Sequence, residues 1–325
     1  MRFLPTGEQL EFARTLHRLL GAADLPAAVR RWGAGDPAPG LEVWRKLAGT
    51  GLFALPVPEQ YEGLGPLPVE LALAFVELGR AGMPGPVVET AAAAVLISEL
   101  GDDTLAGRFL PALAAGEAVA TLVLPGGGPY ALDAEAAGAG YRFAVEGDEL
   151  RLAPGPGPAL PSTDPARRLS VLPAGGEVLA AGPRVRAAAG TALCWARLLT
   201  AAQCLGVGEA LLARTVDYVK QRTQFGAPVG GFQAVKHRLA DTLLGLEFAR
   251  PLVWAGAVRL DRRDVAAAKL AAGGAAYRAA ATALQLHGAV GYTEELDLSL
   301  WLRKSRPLRD AWGTPSACRA DLLLP

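Results

Sequence analysis

The chain has 325 residues, 51% of them apolar and 20% charged, with 32 Lys and Arg balanced by 32 Asp and Glu. That length accommodates two or three domains with a sizeable core, and the zero net charge excludes the basic excess expected of a general nucleic-acid binder. The three cysteines, Cys194, Cys204 and Cys318, are odd in number and lack C-x-x-C spacing, which argues against a disulfide framework or a zinc site and fits free thiols in a reducing compartment.

The N-terminus is amphipathic and carries Glu8 and Glu11, without the continuous apolar core of a signal peptide. No uncharged apolar stretch is long enough to span a bilayer, so a cytoplasmic protein is expected. Residues 1–117 read as an N-terminal helical domain. Leu10, Phe12, Leu16 and Leu19 recur at helical spacing, with Thr6 and Gln9 placed for a capping box. A helix is expected over 41–48, ending at Gly49. The Pro- and Gly-rich run 53–65 is a loop, and helices follow over 67–81, 88–100 and about 103–115.

At Glu117 the texture changes. Short β-rich runs such as AVATLVL, YRFAV, ELRLA and RLSVL alternate with Gly and Pro clusters, so 118–188 reads as a reduced β domain. Residues 189–325 return to long Ala- and Leu-rich helical segments, over 191–221, 233–260, 264–286 and about 294–304. They are expected to form a C-terminal four-helix bundle. The fold class is therefore mainly α with a small β domain.

Two segments carry chemistry. In RTQFGAPVGGFQAVKHRLADT (222–242), Arg222 closes a long helix, where a guanidinium is placed to pair with a diphosphate through two-pronged, charge-assisted hydrogen bonds. Phe225 offers a ring to stack on a base, Gly226 permits a turn, and Gln233 presents both a donor and an acceptor at a new helix start. In QLHGAVGYTEELDLSLWLRKSR (285–306), Gln285, Gly288 and Ala289 make a helix-end loop small enough for backbone N–H groups to approach phosphate or ribose. His237 and His287 lie within these segments without a metal-ligand partner nearby in sequence, and packing or hydrogen-bonding roles are expected for both.

Together the two segments resemble the acyl-CoA dehydrogenase family, which shares the order of helical domain, β domain and four-helix bundle. The loop GLFALPVPEQYEGLG (51–65) also resembles a family loop. The resemblance implies that Arg222, Gln224, Phe225, Gln233, Gln285, Gly288 and Ala289 bind the ADP half of FAD, reaching the FAD of a neighbouring subunit across an interface. It also implies a carboxylate that removes the α-proton of the thioester while the β-hydride passes to the flavin. Most members place that carboxylate before Gly-Thr, nine residues after the arginine matching Arg303, and the residue here is Trp312. Others place it 26 residues ahead of the R-x-x-F-G arginine, and the residue here is Ala196, followed by Arg197 as in that subgroup. Asp310 is two residues from the first position and is not expected to substitute.

The segment matching the family's flavin-ring loop is VLPGGGPY (123–130), where the hydroxyl and acidic residues are gone. The ring-flanking strand matches ELRLAPG (149–155) only loosely. The ADP half is thus kept and the ring half eroded. That asymmetry resembles the non-catalytic subunit of the heteromeric acyl-CoA dehydrogenases of actinobacterial cholesterol side-chain degradation. The expected partner is a catalytic paralogue in an α2β2 heterotetramer, which binds most of the acyl-CoA and shares the FAD. The alternatives are a flavin-dependent tailoring enzyme or oxygenase on the same fold, or a non-catalytic scaffold.

Overall fold

The structure, a computed structural model, describes residues 4–136 and 140–323. Helix α1 (Gly7–Gly21) opens under the capping box expected from sequence. Thr6 Oγ1 accepts from the Gln9 backbone N–H at 3.3 Å, and the Gln9 side chain accepts from the Thr6 N–H at 2.8 Å. Helices α2 (Leu25–Gly33), α3 (Ala38–Ala48), α4 (Pro68–Ala81), α5 (Val87–Glu99) and α6 (Asp103–Ala114) follow, with two single 3-10 turns in the loop before α4. The sequence reading missed α2, whose nine residues are too few to show a period. Its signals are the Asp24 cap, which accepts from the Ala27 N–H, and Pro26 in the first turn.

Six short strands come next: β1 (Ala120–Val123), β2 (Ala131–Leu132), β3 (Tyr141–Glu146), β4 (Glu149–Leu152), β5 (Leu169–Ser170) and β6 (Glu177–Ala181). They form a four-stranded sheet in the order β1-β3-β4-β6, with β1 and β3 parallel and the other pairs antiparallel, plus the two-stranded pair β2-β5. Helix α7 (Pro183–Gln221) starts several residues earlier than the sequence reading placed it. Gly182, at φ 106°, turns the chain, and Pro183 pre-sets the first helical residue.

A hairpin, β7 (Thr223–Gln224) and β8 (Ala227–Pro228), leads to α8 (Gln233–Arg259) and α9 (Arg262–His287). Helix α10 (Leu298–Asp310) starts a turn later than expected and α11 (Pro315–Leu323) was not anticipated. Helices α7 to α10 make the bundle, and one apolar core runs without a break from α1 through β1 and β3 into α10.

Several helix glycines have a packing cause. A Cβ on Gly206 of α7 would lie 1.9 Å from the Val76 carbonyl oxygen of α4, and one on Gly79 of α4 would lie 2.2 Å from the Gln203 carbonyl oxygen of α7. The two helices thus cross backbone against backbone. Gly208 plays the same part between α7, α8 and α9, where a Cβ would meet Leu246 at 2.5 Å and Ala276 at 3.3 Å. Helix α7 is long and apolar enough to cross a membrane, but it lies buried at the centre of these contacts.

Gly206→Val is expected to destabilise the fold by about 3 kcal/mol or more through overpacking. A clear fall in the urea midpoint checks this, whereas an unchanged midpoint would show that the crossing has slack.

Candidate functional site

The three helix ends that carry the sequence motifs come together at one end of the bundle. Helix α7 finishes at Gln221 with Arg222 as its cap, α8 begins at Gln233, and α9 finishes at His287. Side-chain contacts tie them, among them a hydrogen bond from Tyr218 Oη to the His287 carbonyl at 3.4 Å. The Tyr218 ring stacks on His287 with centroids 4.1 Å apart, and Thr242 Oγ1 donates to Thr282 Oγ1 at 3.2 Å. His287 is buried and its Nδ1 donates to the Ala283 carbonyl at 2.8 Å, while burial holds the imidazole below its usual pKa. His237 is exposed on α8. Neither histidine has a metal-like neighbour set among the described residues.

Arg222, Gln224, Phe225, Gln233, Gln285, Gly288 and Ala289 are all exposed at this end. Arg222 makes no ion pair among the described residues. Its backbone is fixed by its N–H to the Tyr218 carbonyl (2.9 Å) and by the Val229 N–H to its own carbonyl (2.8 Å). Phe225 and Gly226 form the two-residue tip of the β7–β8 hairpin, both at positive φ (54° and 79°). A phenylalanine in that region is strained, and the strain presents a ring that is 94% exposed, edge-on to Phe232 at 6.2 Å. Gly288 ends α9 at φ 62° with no atom within 4 Å of a notional Cβ, so the backbone there is open to a ligand. An exposed cation, an exposed aromatic ring, two amides and an open glycine at one end suit a diphosphate carrying a purine. From Gln233 onward, α8 also shows solvent a row of Leu244, Phe248 and Leu252 at four-residue spacing, with Phe248 73% exposed.

The other sequence-marked positions lie elsewhere. Ala196 is buried in the middle of α7, and its carbonyl accepts from Thr200 Oγ1 at 2.7 Å. Trp312 is 5% exposed in the loop between α10 and α11, at φ 58°. Its indole N–H donates to Glu89 Oε1 of α5 at 3.1 Å. Its ring packs on the PGGG turn so closely that a Cβ on Gly127 would lie 2.5 Å from Cζ3. Behind the indole is a narrow cavity between α4, α5, α7, α10 and the β domain, with about 20 Å³ open to the centre of a water molecule. That admits about one water and excludes an acyl chain. Asp310 does not line this cavity and receives a hydrogen bond from Arg309 Nε at 3.3 Å.

Two buried cations set the loop that bears Trp312. Arg197 Nε donates to the Trp312 carbonyl at 2.8 Å, and its guanidinium also pairs with Asp321 of α11. Lys269 of α9 is 1% exposed, and its ammonium donates to the carbonyls of Leu308 (3.0 Å), Arg309 (2.6 Å) and Gly313 (3.3 Å). The first two are carbonyls left open by the end of α10, and the third lies in the loop beyond it. Burial lowers the lysine pKa. The sequence reading passed over Lys269, Glu89 and Asp133. A lone lysine in the Ala-rich run VAAAKLAAGG was the one available signal.

Lys269→Met is expected to cost on the order of 3 kcal/mol or more, because three buried carbonyls lose their donor. A urea titration checks this, and wild-type stability would show that the clamp is dispensable.

Residues 6–117 match the family model described as acyl-CoA dehydrogenase, N-terminal domain, and residues 186–320 match that of the C-terminal domain. The chain is 34% identical over 304 residues to acyl-CoA dehydrogenase IpdE2 of Mycobacterium tuberculosis, covering 93% of this chain and 92% of that one. It superposes on the Tcur3481-Tcur3483 steroid ACAD with a TM-score of 0.84 at 26% identity, covering 97% and 96% of the two chains. It superposes on butyryl-CoA dehydrogenase of Megasphaera elsdenii with a TM-score of 0.82 at 23% identity, covering 99% and 98%.

Proposed function

The chain belongs to the acyl-CoA dehydrogenase family of FAD-dependent oxidoreductases, and on that basis we propose that it is a subunit of a heteromeric enzyme, lacking a base and completing the FAD site of a catalytic paralogue. The observation that carries this is Trp312. In this reading an indole stands where the family keeps its carboxylate; its N–H donates to Glu89, and Arg197 holds the Trp312 backbone carbonyl. Trp has no basic site for the α-proton of a thioester, and the cavity behind it excludes an acyl chain.

FAD supplies the hydride acceptor in this family. The residues at the bundle end fit its ADP half: Arg222 for the diphosphate, Phe225 for the adenine, Gln224, Gln233 and Gln285 as donors and acceptors, and Gly288 with Ala289 for close backbone approach. The ring half does not fit in this chain, since Trp312 occupies the face of the PGGG turn. A partner that contributes the ring contacts, base and acyl pocket resolves the mismatch. The apolar row on α8, which begins at Gln233 beside the ADP-half residues, offers such a partner a face to bury. The paired name and the steroid label of the Tcur3481-Tcur3483 relative support a heteromer acting on a steroid acyl-CoA; the α2β2 stoichiometry, the side-chain substrate and a cytoplasmic location are part of the same proposal.

The isolated chain is expected to purify colourless, and the complex with a catalytic paralogue to carry one FAD per heterodimer. Arg222→Ala removes a charge-assisted pair to the diphosphate, which costs about 2–3 kcal/mol, or roughly 30- to 150-fold in flavin affinity. Flavin absorbance against protein concentration, with and without the co-expressed partner, measures both. One flavin per isolated chain would overturn the reading and favour a tailoring enzyme or oxygenase. Trp312→Glu alone is expected to yield no acyl-CoA turnover without a partner, because the ring contacts are absent as well. Turnover by that variant alone would show that only the base had been lost.

A further inference from the structure

The narrow cavity behind Trp312 is lined by more charge than a mostly buried space holds without a reason. Its lining includes Glu89 of α5, Asp133 just after β2, Arg167 from the loop before β5, and Lys304 of α10. Lys304 is already matched, with its ammonium 2.9 Å from Asp164 Oδ2. Arg167 makes no ion pair among the described residues and is the remaining cation facing two carboxyl groups. If both carboxyls were ionised, the cavity would carry a negative charge not matched by its lining, so ionising the second of them is disfavoured.

The hydrogen bonds give the same answer. Asp133 Oδ1 accepts from Trp32 Nε1 and from the Arg168 N–H, both at 3.1 Å, and Glu89 Oε1 accepts from Trp312 Nε1 at 3.1 Å. The second oxygens, Asp133 Oδ2 and Glu89 Oε2, are buried and have no partner in the protein. The cavity that both residues line has about 20 Å³ of space, enough for a single water, and carboxyl oxygens are the polar partners such a water needs.

We propose that Glu89 and Asp133 form a buried proton-sharing site that holds one ordered water and one exchangeable proton, and that this site fastens the N-terminal helices and the β domain to the Trp312 loop. A protonated carboxyl donates to the water, and the water donates to the other carboxylate. Because Asp133 also receives Trp32 of α2 and Glu89 receives Trp312, the charge state of one small site bears on three segments far apart in sequence. Burial pushes Asp133 up from 3.8 to about 7, and burial also raises Glu89.

The sign of the pH dependence follows. Between 3.8 and about 7 the folded chain keeps the Asp133 proton that the unfolded chain has lost. The stabilisation is complete below the lower value and is lost as pH rises through the upper one. The thermal midpoint of the full chain should therefore fall between about pH 5 and pH 7 and level off above. Asp133→Asn keeps an acceptor for Trp32 and a donor for the water, and should flatten that part of the profile. Glu89→Gln should remove the contribution of its own carboxyl while keeping an acceptor for Trp312.

Infrared spectra at about pH 6 provide a readout that a purely structural role would not move. A protonated carboxylic acid band should be present in the wild type and lost or shifted in Asp133→Asn. A wild-type spectrum without that band, or an Asp133→Asn profile that still falls like the wild type, would overturn the proposal. If Asp133→Asn does not fold, the wild-type band and its disappearance above about pH 8 decide the matter.

Discussion

The arrangement depends on two buried cations that bond to backbone rather than to substrate. Lys269 and Arg197 donate to four carbonyls at the end of α10 and in the loop beyond it. A helix end inside a protein leaves carbonyls that must find donors or cost about 1–3 kcal/mol each. Here one ammonium and one guanidinium serve that need, and in doing so they fix residue 312 at a positive φ that a tryptophan does not choose unaided. The loop backbone is therefore fixed independently of the indole, by donors that reach only its carbonyls.

That independence gives the two halves of the molecule different freedoms. The bundle end with Arg222 and Phe225 is built from helix caps and a tight hairpin, and its chemistry faces outward. The opposite face, around Trp312, is sealed by side chains from α5, α7, α9 and the PGGG turn. Under the proposed reading, the outward end serves a neighbour and the sealed face serves only the fold.

Much of this was legible in the sequence. The long helices, the Gly- and Pro-bounded β segment and the order of segments follow from periodicity and composition. The bundle-end residues were singled out by the resemblance of segments 222–242 and 285–306 to the family's motifs. Counting from Arg303 also brought attention to Trp312. Where the pattern was short it failed: α2, α11 and β6 have nine, nine and five residues, too few to set a period. The interior partners were out of reach for a different reason. Glu89 and Trp312 are separated by 223 positions and Trp32 and Asp133 by 101, and nothing local marks a carboxyl that will be enclosed by four distant segments. The length of the loops around 125–176 also hid how the strands pair, since β1 and β3 are parallel across a long connection.

The contact between Trp312 and Gly127 makes two distant positions interdependent. With the indole in place, any side chain at 127 would overlap it, since even a methyl carbon would sit 2.5 Å from the ring. A side chain at 127 and an indole at 312 therefore exclude one another, and position 127 cannot gain one while the indole stays. Steric exclusion at one van der Waals contact thus couples the PGGG turn of the β domain to the loop after α10.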